Sequence, residues 1–191
     1  LGAFYFFLQL KDIFLWLISI SFLTFLYSAP KLSFKPFVLL RKVAVAKTAF
    51  LALTWLFVTC ILPIFIYSSN FNTDQQLYIF SRFFFIYAIC ILFDYRDKEK
   101  DRKEGIRSLV TELNENGIHF IFFTSMLICI ISSTLFLQVD LSAELLAFII
   151  PVLILSFLYY PSKSITSDYW YYFLLDGLMM LPGILLIIIR I

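Results

Sequence analysis

The chain has 191 residues, 62% of them hydrophobic, 20% aromatic and only 15% charged, with a formal net charge of +2. That balance is far more apolar than a soluble domain tolerates, which excludes a soluble fold, and no nucleic-acid partner is expected. Apolar stretches of about twenty residues, the length that crosses a hydrocarbon layer roughly 30 Å thick as a helix, recur along the sequence. The expected fold class is therefore all-α, a polytopic transmembrane bundle forming one domain over 1–191, with membrane lipid around it.

In chain order, residues 1–10 are too few to span and end at Lys11-Asp12, which reads as a turn after a helix stub. One helix over 1–27 is the alternative, but it would place both charges near mid-bilayer at a cost of about 2.5–3.5 kcal/mol each. Spans follow near 13–28, 47–67, 76–93, 118–137, 141–160 and 169–190, separated by polar, charged or Pro-containing connections. This makes six full spans plus the stub. Pro63, Pro151 and Pro182 predict kinks rather than breaks, because neighbouring helices can satisfy the freed carbonyls. Cys60, Cys90 and Cys129 lack paired spacing and read as small buried hydrophobes. Trp170, Tyr171 and Tyr172 read as an interfacial belt. The chain starts at Leu1 inside an apolar run, so an N-terminally truncated fragment is expected.

Orientation follows from the basic residues, since cytoplasmic loops carry the excess. Lys31, Lys35, Arg41, Lys42 and Lys47, then Arg96, Lys98, Lys100, Arg102, Lys103 and Arg107, and finally Lys163 fall on one side: twelve of the fifteen. Lys11, Arg82 and Arg190 are left opposite. The end bearing Asp94, Asp97 and Asp101 is thus assigned to the cytoplasm.

Those aspartates lie in the run 93–105, which continues directly from an apolar span. If the helix persists past the bilayer, residues three and four apart share a face, so the three acids project together while Arg96, Lys100 and Lys103 point elsewhere. Clustered carboxylates repel unless a cation sits between them. Mg²⁺ suits that role because it takes oxygen ligands, keeps waters and bridges carboxylates to substrate phosphates. The surrounding basic residues match the charge of a diphosphate leaving group. Tyr27 and Lys31, four residues apart at the same end of an earlier span, form a second clamp for one phosphate. The competing reading is a solvated face with local ion pairs, and for Tyr27 and Lys31 a pair of interfacial anchors.

Asp97-x-x-x-Asp101-x-x-x-Gly105 followed by Arg107-Ser108-Leu109 resembles the second aspartate-rich motif of the UbiA superfamily of intramembrane prenyltransferases, and Asp94 extends it to an Asp-x-x-Asp-x-x-x-Asp form. Tyr27-Ser28-Ala29-Pro30-Lys31 resembles the family's Tyr-x-x-x-Lys element, and the order of the two elements agrees. The resemblance implies about nine transmembrane helices around a central cavity, with two aspartate-rich motifs coordinating Mg²⁺ and an isoprenyl diphosphate. It implies transfer of the isoprenyl group to a hydrophobic acceptor, aromatic or lipid. Asp97 and Asp101 would be catalytic, Asp94, Asp97 and Asp101 would hold the metal, and Tyr27, Lys31, Arg102 and Lys103 would bind the diphosphate. The chain would begin near the end of the third helix, without the first aspartate-rich motif and so with half of the expected metal site. Its Phe- and Ile-rich style points to a bacterial inner membrane.

Asp176, inside the last span, is a functional candidate because an acid in a membrane carries a desolvation cost; it would line the cavity or be held neutral or hydrogen-bonded by a neighbouring helix. Arg82 is expected to snorkel to the opposite interface. His119, the single histidine, gives no support for a metal or triad site. The aromatic residues would line a prenyl tunnel or face lipid. A CDP-alcohol phosphotransferase is disfavoured, because that signature needs Gly where Lys98 follows Asp97. A transporter or structural membrane subunit is the non-enzymatic alternative.

Overall fold

The computed structural model describes residues 44–67, 72–137 and 143–190, together with positions 14, 18–19, 21–22 and 25. The stub at 1–10, the turn at Lys11-Asp12 and the body of the span at 13–28 lie outside the described residues. Among the described residues all regular structure is helical. Five stretches are long and apolar enough to cross a membrane: Lys47–Tyr67, Thr73–Glu104, Glu115–Phe136, Ala143–Ser162 and Trp170–Ile189. The chain is therefore an integral membrane protein.

The first span joins α1 (Ala44–Leu56) to α2 (Leu62–Tyr67) through a π-helical turn at Phe57–Ile61. The widened turn stands just before Pro63, which has no N–H to donate to the preceding turn. Next comes α3 (Thr73–Glu104), 32 residues long. It starts in a capping box, where Asn72 accepts from the Gln75 N–H and the Gln75 side chain accepts from the Asn72 N–H. It ends at Gly105, whose φ of 65° is the left-handed conformation that glycine adopts without a steric penalty. The Ile106 N–H bonds back to the Asp101 carbonyl at 2.9 Å, closing the helix end. One continuous helix thus covers both the expected span at 76–93 and the acidic stripe.

A short helix, α4 (Leu109–Glu112), leads into α5 (Glu115–Phe136), followed by α6 (Ala143–Ser162). The last span opens with a π-helical segment, Trp170–Leu175, and continues as α7 (Asp176–Arg190). Helices continue through Pro151 and Pro182 without a break.

The central helix is α3: 56% of its apolar window is buried, against 17% in the first and last spans. Phe85, Ile89 and Leu92 on α3 meet Phe122 on α5, Leu155 on α6 and Leu175 in the last span. On another side of α3, Ile86 and Cys90 meet Ala52, Leu56 and Cys60. Between α3 and α5 the apolar packing is supplemented by a Ser81–Ser133 hydroxyl hydrogen bond of 2.7 Å, polar adhesion of the kind used between membrane helices. The three cysteines are buried and unpaired, as expected of small hydrophobes. Outward-facing Phe120, Phe157 and Ile187 are each more than half exposed, a pattern suited to lipid contact.

Candidate functional site

α1 and α3 lie side by side, which sets Lys47 and Thr48 opposite the acidic stripe. Lys47 Nζ is 2.6 Å from Asp101 Oδ2, 3.7 Å from Asp94 Oδ1 and 3.9 Å from Asp97 Oδ2. Thr48 Oγ1 donates to Asp94 Oδ2 at 2.7 Å. Asp94 and Asp101 are each only 4% exposed, so the stripe faces into the bundle rather than toward water. Helical spacing puts the three carboxylates on one face; the neighbouring helix supplies the cation that lets them stay close.

Asp97 also accepts from Arg96 Nε at 3.0 Å. The Arg96 guanidinium lies over the rings of Phe93, Tyr171 and Tyr172, at 5.0, 5.3 and 4.7 Å from their centroids. Its Nη1 is buried without a hydrogen-bond partner, 3.9 Å from Asp168 Oδ1. Both tyrosines come from the π-helical segment, which is pinned to the end of α6 by Trp170 Nε1 donating to Ser162 Oγ at 2.9 Å and Tyr171 Oη donating to the Ser162 carbonyl at 2.7 Å. Tyr171 is fully buried and Trp170 partly so, which corrects their reading as an interfacial belt; only Tyr172 of the three is exposed.

One helical turn deeper than this centre lies a cavity of about 200 Å³, lined by Leu51, Trp55, Phe93, Arg96, Tyr172 and Asp176 among others. Leu51 follows Thr48 by three residues, and Cys90, also in the lining, precedes Asp94 by four, so the cavity continues inward from the carboxylates. Asp176 thus lines a cavity, in company with a guanidinium and aromatic walls.

Not every sequence candidate joins the centre. Arg102 and Lys103 sit exposed in the last turn of α3, and Arg102 Nη1 is 3.7 Å from Glu99 Oε1 instead. Tyr27 and Lys31 lie outside the described residues. Gly105 and Ser108 serve the backbone: the first caps α3, and the second begins α4 with its N–H donating to Thr111 Oγ1 at 2.8 Å. His119 packs against the rings of Phe123 and Tyr159. Sequence reasoning missed Lys47, Thr48 and Arg96 as site residues. Lys47 stands at the first position of an apolar run, and that placement was the signal, hidden because the same lysine counts as an ordinary loop charge.

The donor set is wholly oxygen and hard, which fits Mg²⁺ in chemistry. In arrangement, Lys47 fills the space between the carboxylates, and among the described residues no group of three acids, histidines or cysteines is disposed to cage a metal. A metal would have to arrive with ligands of its own.

A second ion pair occupies the same end of the bundle. Lys163, just past α6, donates to Glu115 Oε2 at 2.7 Å, and Tyr95 Oη donates to that oxygen at 3.0 Å. The ammonium also lies 4.5 Å from the Tyr159 ring centroid. Burial pulls the Lys163 pKa down, but the hydrogen-bonded Glu115 carboxylate outweighs this, and the ammonium titrates above its ordinary range.

Compared with known proteins, the sequence matches no family model, no curated protein and no solved structure.

Proposed function

We propose that this chain carries the second half of a UbiA-like active site and takes part in Mg²⁺-dependent transfer of an isoprenyl group from a polyprenyl diphosphate to an aromatic or lipid acceptor. The reading includes a sixth span at 13–28, a bacterial inner membrane and a cytoplasmic location for the aspartates. What supports it is one observation: three carboxylates and a single lysine meet at a buried centre directly above an aromatic-walled cavity. Lys47 and Arg96 leave one of the three negative charges uncompensated, an arrangement that a purely structural pair does not need.

In this reading Asp97 and Asp101, with Asp94, would hold Mg²⁺, which would supply charge neutralisation for the diphosphate leaving group. Lys47, released from the carboxylates, donates to a diphosphate oxygen. The C–O bond breaks with its electron pair staying on the diphosphate, and the rings of Trp55, Phe93 and Tyr172 face the allylic cation left behind. The acceptor bonds to that carbon and gives up a proton, for which Asp176 is the carboxylate at hand in the cavity lining.

The full-length protein, assayed with Mg²⁺ and labelled isoprenyl diphosphates, should show turnover that collapses in an Asp97→Ala, Asp101→Ala double variant. Turnover unchanged in that variant would remove both residues from the chemistry.

A second reading is favoured by the 2.6 Å contact of Lys47 with Asp101. Here the cluster is a charge clamp joining α1 to α3 in a transporter or structural subunit. The same variants would then lower stability, and the wild-type protein would consume no isoprenyl diphosphate.

A further inference from the structure

The end of the bundle away from the aspartates holds a separate charged group. Arg82 lies nine residues into α3, about 13 Å along the helix from its start and so within the hydrocarbon depth. It does not snorkel, contrary to expectation: the residue is only 6% exposed, and its guanidinium carbon is 4.9 Å from the Phe85 ring centroid, toward the bundle centre. Nη2 donates to the Met179 carbonyl at 2.8 Å. Among the described residues no carboxylate lies within ion-pairing distance of it. A full charge inside a bilayer is costly without an opposite charge, and an intramembrane arginine of this kind marks a functional site by default.

Arg82 also lines a cavity of about 210 Å³ together with Tyr78, Cys60, Met180 and Gly183. The Tyr78 hydroxyl accepts a long contact from Cys60 Sγ at 3.9 Å, which leaves its own proton free to donate. A guanidinium and a phenol are both donors, and together they select an oxygen anion. The cavity meets the lipid side: Met180 is 64% exposed, and Gly183 has open space where a side chain would stand. It is apart from the aspartate centre, since Arg82 precedes Asp94 by twelve residues, or about 18 Å of helix.

We infer that this cavity is an oxyanion site for the phosphate of an amphiphile entering sideways from the bilayer, with Arg82 as the charged contact and Tyr78 as the second donor. The inference stands independently of the prenyltransferase reading. It accounts for the buried charge nine residues into α3, for a guanidinium and a phenol facing one cavity and for the opening toward lipid.

The test uses the full-length protein in a neutral detergent, equilibrated with phosphatidylglycerol, phosphatidylcholine or inorganic phosphate, with retained lipid counted by native mass spectrometry. Because the basic end of the bundle also attracts anionic lipid, the readout is the change between variants. The wild type should retain one more phosphatidylglycerol than Arg82→Gln, and Tyr78→Phe, which removes only a hydroxyl, should weaken that retention several-fold even if Arg82→Gln fails to fold. Competition by millimolar inorganic phosphate would keep the oxyanion site but assign it to a free anion; no competition assigns it to the lipid headgroup. Equal retention by the wild type and a folded Tyr78→Phe variant, or no preference for phosphatidylglycerol over phosphatidylcholine in the Arg82-dependent fraction, would overturn the inference.

Discussion

Two lysines at the same end of the bundle show opposite uses of charge. Lys163 meets one carboxylate, Glu115, at a site where that acid is more than half exposed, and a tyrosine hydroxyl and a ring complete its surroundings. The account is balanced, and the pair ties the end of α6 to the start of α5. Lys47 meets three carboxylates, two of them nearly inaccessible to water, and even with Arg96 beside Asp97 two cations do not offset three acids. The difference teaches that ion pairing alone does not mark a site. A buried imbalance of charge beside a cavity does, because the protein bears a desolvation cost there that a simple clamp would avoid.

The sharpest way to break this comparison is to remove each lysine. Lys47→Met should cost about 3–5 kcal/mol in unfolding experiments on the detergent-solubilised protein, because it strands two buried acids, Asp94 and Asp101, without their cation. Adding Asp101→Asn to that variant should restore part of the loss. A loss below about 1 kcal/mol would mean that water reaches the carboxylates and that the contrast with Lys163 is false.

Gly105→Ala tests the backbone beneath the same centre. The cap bond to the Asp101 carbonyl depends on the left-handed conformation at residue 105, which costs an alanine about 1–2 kcal/mol. Unfolding measurements should show that loss. If alanine is neutral, the cap does not hold the end of the stripe in place.

Lys163→Met is expected to cost at most about 1 kcal/mol, since its partner is exposed and screened by solvent. The pH dependence has a definite sign. The folded-state pKa of Lys163 is raised, so the pair's contribution is complete below the ordinary value of 10.5 and fades as pH rises through the higher folded value. Stability differences between wild type and Lys163→Met should therefore be flat through neutral pH and vanish in strong alkali, where Lys163 loses its proton, and in acid, where Glu115 gains one.

Much of the fold could be read from the sequence because hydrocarbon thickness imposes a length on every span, and each span from 47 onward begins within a few residues of its expected start, although the helix expected at 76–93 runs on to Glu104. The stripe was equally legible, since helical periodicity alone puts Asp94, Asp97 and Asp101 together. What periodicity cannot give is the partner across the interface. Lys47 and Asp101 are separated by 54 positions, and nothing in either segment announces their contact. The same limit explains Arg82 and Tyr171. Snorkelling and belt formation are average behaviours of single residues at a bilayer surface, whereas the π-helical turn before Asp176 and the packing around α3 are properties of several helices at once. Arg102 and Lys103 follow the opposite rule: a basic residue near an acidic motif reads as a ligand in one dimension, but the last turn of α3 simply presents them to solvent.

The claim on which the functional account rests is that the carboxylate excess around Lys47 receives a metal together with a diphosphate. Equilibrium binding of a labelled isoprenyl diphosphate to the full-length protein, titrated with and without Mg²⁺, tests this directly. Binding that requires Mg²⁺ and falls at least about tenfold, or about 1.4 kcal/mol, in an Asp97→Asn, Asp101→Asn variant of unchanged fold is the predicted result. Binding indifferent to both the ion and the substitutions would contradict it.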